Sequence, residues 1–165
     1  MRESAPTLRA PAIGDIGWAI ERHGRLYAEE YGWNGEFEAM VCGLFAGYLA
    51  TRDPARDDFW VAEVDGARAG CCFVVANADD PSLAQLRCLL VEPAARGRGV
   101  GRALVARAIA YSRAAGYAGM VLWTHDILVP ARRLYESYGF RLVASAPARA
   151  YGAELVSQTW RLDFA

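Results

Sequence analysis

Hydrophobic positions along this chain change period several times, and those changes divide it into helices and strands. Ile16, Ile20, His23, Tyr27 and Tyr31 recur at three- and four-residue spacing. That spacing predicts an amphipathic helix over 16–31, with Asp15 as N-cap and Gly32 as stop. Phe37, Val41, Leu44, Phe45 and Tyr48 set a second helix over 36–51, closed by Arg52-Asp53-Pro54. Residues 7–12 read as a first strand. Apolar runs at 59–64 and 67–76 flank Asp65-Gly66, a two-residue hairpin signal. The turn Asp79-Asp80-Pro81-Ser82 leads into another strand over 83–91. Beyond it, 103–115 is amphipathic: Val100, Leu104, Ala108 and Ile109 form its apolar stripe, and Arg102, Arg107 and Arg113 face outward. Gly116 ends that helix, and 118–124 reads as a buried strand. Pro130 suits the first turn of a helix that Gly139 ends, and strands over 140–144 and 155–163 finish the chain. No repeat or linker interrupts the pattern, so 1–165 is expected to form a single mixed α/β domain.

Between the strand ending at Val91 and the arginine-bearing helix lies Arg96-Gly97-Arg98-Gly99-Val100-Gly101. A strand, a glycine-rich turn and a helix in that order make a pyrophosphate cradle, because unpaired amides and the positive helix end face the anion. A Walker loop is excluded, since the chain has no lysine. A dinucleotide fingerprint is disfavoured too: the glycines follow Gly-x-Gly-x-Gly, and the residues near Val121 are apolar where an acid is needed.

What remains, Arg-x-x-Gly-x-Gly from Arg96, resembles the acyl-CoA loop of the GNAT N-acetyltransferases. Val91-Glu92-Pro93 resembles the family's approach to that loop, and Ala131-Arg132-Arg133-Leu134-Tyr135-Glu136-Ser137-Tyr138-Gly139-Phe140 resembles its Ala-x-x-Leu-Tyr-x-x-x-Gly-Phe signature. More loosely, His23-Gly24-Arg25-Leu26-Tyr27 and Glu30-Tyr31-Gly32-Trp33 resemble acetyltransferase domains fused behind MarR-type DNA-binding domains. The resemblance implies an α+β GNAT fold: one mixed, mostly antiparallel sheet of about seven strands with about four helices. It implies an acetyl-CoA-binding core over 83–142 and acceptor-side helices over 15–52. It also implies direct transfer of acetyl from acetyl-CoA to a primary amine, and many relatives are dimers.

Residue by residue, the resemblance assigns Leu89, Leu90 and Val91 to the pantetheine arm. It assigns Arg96, Gly97, Arg98, Gly99, Val100, Gly101 and Arg102 to the pyrophosphate, mainly through backbone. Tyr135 stands where members place a general acid beside the sulfur; half-buried packing is the competing reading. The strand glutamate often used as base is missing before Glu92. His125, just past the strand, could serve instead, or could be a loop histidine bonded to backbone. His23, Tyr27, Glu30, Tyr31 and Trp33 would line the acceptor pocket, or simply pack helices onto the sheet. Leu128 stands where many members carry an asparagine.

Composition narrows the partners. With 54% hydrophobic residues and a net charge of −1, the chain lacks the basic surplus of a nucleic-acid binder, and the resemblance implies a small-molecule amine as partner. No apolar run approaches the roughly 20 residues needed to span a membrane. Cys42, Cys71, Cys72 and Cys88 lack metal-ligand spacing, so reduced thiols, a cytoplasmic setting and no metal are expected. Cys88 could in principle carry an acyl group, but its apolar neighbours point to burial. The missing carboxylate keeps open another role: a weakly catalytic CoA-binding module, or a partner of a MarR-type regulator.

Overall fold

The computed structural model describes residues 4–165. Its elements run β1 (Thr7–Arg9), α1 (Asp15–Tyr31), α2 (Gly35–Thr51), β2 (Asp58–Val64), β3 (Ala67–Ala76), β4 (Leu83–Val91), α3 (Val100–Ala114), β5 (Gly119–His125), α4 (Val129–Ser137), β6 (Arg141–Ala150) and β7 (Ala153–Asp163). One seven-stranded sheet, in the order β1-β2-β3-β4-β5-β7-β6, carries the chain, and its neighbours are antiparallel except for β4 and β5. That single parallel pair needs a crossover, which the glycine loop and α3 supply.

Alternation along the central strands feeds two cores. On β2, Trp60, Ala62 and Val64 face α3 with Val100, Leu104, Val105 and Ala108, while Phe59 and Val61 face the other layer. There α1 and α2 bring Ala19, Leu26, Phe37, Val41, Phe45 and Tyr48 onto Cys71, Phe73 and Leu90. The period-3.6 stripes of the helices thus meet the period-2 faces of the strands on both sides.

Several boundaries differ from the sequence expectation. Asp15 is no N-cap: Gly14, at φ 94°, holds that position, and Asp15 is the first residue of α1. Its buried carboxylate accepts from Ala12 N at 2.6 Å and pairs with Arg9 (2.6 Å) and Arg68 (2.8 Å), tying α1 to β1 and β3. β1 stops at Arg9, α3 begins already at Val100, and β5 extends to include His125. The largest departure is β6, which continues to Ala150 as the exposed edge strand and turns into β7 at Tyr151-Gly152.

Candidate active site

β4 and β5 pair only from Leu83↔Gly119 to Leu86↔Leu122, and then separate. The cause lies on the other edge of β4, where the register with β3 slips between Cys71 and Phe73 and Cys88 adopts φ 53°. Such a bulge bends its strand. β5 meanwhile stays with β7 through His125↔Ser157. The β5-facing edge of β4 is therefore free beyond Leu86, and two chambers open beside it, joined at Tyr27, Leu89, Leu128 and Ala131.

The wider chamber, about 400 Å³, is lined by Leu89, Leu90, Val91, Arg96, Gly97, Gly99, Val100, Gly101 and Arg102. The first bond within α3 runs from Ala103 N to Gly99 O at 2.9 Å, so the amides of Val100, Gly101 and Arg102 have no carbonyl partner in their own helix. Gly97 and Gly99 adopt φ 78° and 80°, a backbone conformation costly for other residues, and a Cβ on either would point into open space. This geometry fits an anionic, extended ligand: a free strand edge beside the arm and a ring of amides at the phosphates. Arg98 does not face the chamber; its guanidinium turns to Asp65 at 2.9 Å, so only its backbone remains for that role. Glu30 and Tyr31, expected on the acceptor side, line this chamber instead, and Glu30 pairs with Arg96 at 2.7 Å.

The narrower chamber, about 100 Å³, collects His23, Tyr27, Trp33, His125 and Tyr135 among apolar walls. His125, 3% exposed, ends β5 inside an aromatic box, with ring centroids 5.4 Å from Trp33, 4.6 Å from Trp123 and 5.7 Å from Tyr151. Among the described residues, neither of its ring nitrogens has a partner. Burial pushes its pKa below the ordinary histidine value, with Asp126 opposing. Tyr135 is buried on α4, and desolvation raises its phenol above the ordinary tyrosine value. Glu92 is occupied elsewhere: Arg22 grips it at 2.6 and 2.9 Å, fastening α1 to the end of β4. Cys88 cannot supply a thiolate near neutrality, because burial pushes its pKa up to about 12.

Comparison with known proteins decides the family. Residues 55–142 match the acetyltransferase (GNAT) domain family. An uncharacterized N-acetyltransferase of Schizosaccharomyces pombe is 35% identical over 115 residues, covering 70% of each chain. This chain belongs to the GNAT acetyltransferase family. The N-acetylaspartate synthetase of Rattus norvegicus is 32% identical over 111 residues, 67% of this chain but only 37% of that protein. The fold matches yncA of Salmonella typhimurium, solved with its cofactor acetyl-CoA, at TM-score 0.76 and 22% identity, covering 97% of this chain and 94% of that one.

As a GNAT acyltransferase, the chain shows some local solutions of its own. Leu128, in place of the asparagine, offers no side-chain cap to α4 and makes the junction between the chambers apolar. The helix is anchored instead by Arg132, which donates to Asp126 O at 2.7 Å, while the Asp126 carboxylate accepts from Val156 N at 3.0 Å. Among the described residues, no cluster of three or more metal-ligating side chains occurs, and no helix is long and apolar enough to cross a membrane.

Sequence reasoning missed Tyr151, which backs Trp33 (4.9 Å), Phe37 (5.1 Å) and His125 from the hairpin turn. The signal was Tyr-Gly after Ala150, a weak one, because tyrosine rarely takes the φ of 57° found there. His23 is buried with Nδ1 2.7 Å from Ala19 O, and desolvation lowers its pKa from 6.5 to about 4. The unfolded chain therefore takes up this proton first as the pH falls. Stability should be full above about pH 6.5 and decline by about 3 kcal/mol as the pH approaches about 4. Urea midpoints at pH 7 and 4.5 check this, and His23→Gln should flatten the difference.

Proposed function

We propose that this GNAT protein transfers acetyl from acetyl-CoA to a primary amine of a small molecule, by direct attack within a ternary complex. The observation that carries the reading is the junction of the two chambers. A cleft suited to the pantetheine arm and phosphates runs into a largely apolar chamber lined by the Tyr135 phenol and by His125, whose two ring nitrogens have no partner among the described residues. The amine nitrogen attacks the thioester carbon, forming the C–N bond as the C–S bond breaks. His125, neutral at pH 7, takes the proton from the amine, and Tyr135 gives its proton to the departing thiolate. A β4 amide beside the thioester carbonyl would stabilise the oxyanion without reorganisation. His23, Tyr27 and Trp33 shape the acceptor wall, with aromatic faces that suit an apolar or cationic body. Four unpaired thiols favour a reducing compartment such as the cytoplasm.

Two measurements in sequence test this. Calorimetric titration with acetyl-CoA should show micromolar binding, weakened for the 3′-dephospho analogue. Free-thiol release over an amine panel should then identify acceptors. Binding without turnover on any amine would turn the reading towards a CoA-binding regulatory module, and no binding would remove the loop assignment.

A further inference from the structure

Arg87 is a charged residue of the acceptor chamber with no part in the chemistry above. It follows Leu86, the last β4 residue paired with β5, so it stands where the two strands begin to part. It lines the acceptor chamber with Met40 and Leu44, and the groove beyond it with Gly43 and Gly47. Among the described residues, no carboxylate pairs with its guanidinium and no carbonyl accepts from it, whereas Arg9, Arg22, Arg68, Arg96 and Arg98 all have carboxylate partners. The acids in the adjoining groove are engaged locally: Asp57 accepts from Asp53 N at 2.8 Å, and Asp53 from Ala55 N at 3.0 Å. Burial depresses the Arg87 pKa, as expected of a cation losing water without gaining a counter-ion.

A partly buried guanidinium without a partner is an unfavourable thing to keep in an apolar wall. A ligand that supplies an anion reverses the penalty, and the planar fork of arginine matches a carboxylate through two parallel N–H···O bonds. The chamber's lining thus combines a cation, Arg87, with the proton-transfer groups His125 and Tyr135 and with apolar side chains. We infer that the acceptor is an amino carboxylate, its carboxylate held by Arg87 and its amine delivered to the thioester. This rests on the acetyltransferase reading above and names the substrate class for it.

Matched acceptors test the inference without any mutation. L-phenylalanine, its amide and phenethylamine share one body, as do L-leucine, its amide and isoamylamine; β-alanine and 4-aminobutyrate vary the spacing between the charges. The carboxylate makes the neighbouring amine more basic, so at pH 7 the amide holds more free amine and would react faster if nothing recognised the acid. The expected result is the reverse: kcat/KM at least about 30-fold higher for the best acid than for its amide and decarboxylated form. In Arg87→Gln that preference should shrink to within about 3-fold, with acetyl-CoA affinity unchanged, and Arg87→Lys should recover part of it.

Turnover with amides equal to or better than every acid would overturn the inference while leaving the acetyltransferase reading intact. Absence of turnover with any amine would defeat that reading instead. The anchor would then be measured by calorimetry, titrating L-phenylalanine, 4-aminobutyrate and phenethylamine into the CoA-saturated protein. Tighter binding of an acid supports Arg87 as the anchor, and equal or absent binding of all three rejects it.

Discussion

Gly99→Glu is expected to weaken acetyl-CoA binding at least about 100-fold, a loss of about 2.7 kcal/mol, while the protein still folds. Gly99 caps α3 at φ 80° and ψ 8°, so any L side chain there costs about 1–2 kcal/mol in backbone strain. None of the described residues other than its chain neighbours lies within 4 Å of a Cβ at this position, so no internal clash adds to that. The added group projects into the space before the free amides of Val100, Gly101 and Arg102. There a carboxylate competes for the same donors as a phosphate and repels it. Gly99→Ala separates the two effects, since it keeps the strain and adds no charge. It should lower the melting temperature about as much as the glutamate does, yet reduce affinity only several-fold. Calorimetric titration of both variants gives the answer. Wild-type affinity in Gly99→Glu would show that the phosphates bind elsewhere.

The sheet and the glycine loop were legible because local rules and tertiary demands agree there. Asp65-Gly66 joins β2 to β3 through two residues of positive φ, as a tight hairpin requires, and 83–91 and 67–76 are strands over the expected residues. The Arg96–Gly101 loop lies between strand and helix where an anion cradle needs it. Less legible were features set by partners distant in sequence. Asp15 looks like a helix cap, yet Arg9 and Arg68 make it an ion-pair hub. Nothing in Leu86-Arg87-Cys88-Leu89 announces that Cys88 takes φ 53°, although that kink is what frees the edge of β4 and opens the site. β6 fades into Ser145, Pro147 and alanines without alternation, because as an exposed edge strand it has no inner face to declare. Its true length places Tyr151 behind Trp33, Phe37 and His125, so the missed strand end and the missed aromatic are one event. Glu30 and Tyr31 share a helix face with Tyr27, but one further turn along α1 carries them past the junction to the chamber of the glycine loop.

Tyr135→Phe should lower kcat about 100-fold and leave acetyl-CoA affinity within about 3-fold of wild type. Phenylalanine keeps the ring that packs on Phe140 at 5.8 Å, so the α4 contact survives and only the hydroxyl is lost. Among the described residues no hydrogen-bond partner of that hydroxyl is left stranded, and Tyr135 lines the chamber where the sulfur would lie. Desolvation holds its proton above the ordinary tyrosine range, so the acid stays loaded throughout neutral and mildly alkaline pH. His125 is shifted the other way, and its neutral, proton-accepting form persists to lower pH than an ordinary histidine allows. The two shifts together predict a plateau in kcat from about pH 7 to about pH 9, with the acid limb below the ordinary histidine pKa of about 6.5. Because Tyr135→Phe removes the acid and not the base, it should scale the plateau down without moving the acid limb. Equal turnover in the variant would exclude Tyr135 from proton transfer, and an acid limb that moved with the substitution would mean that the phenol and His125 titrate as one unit.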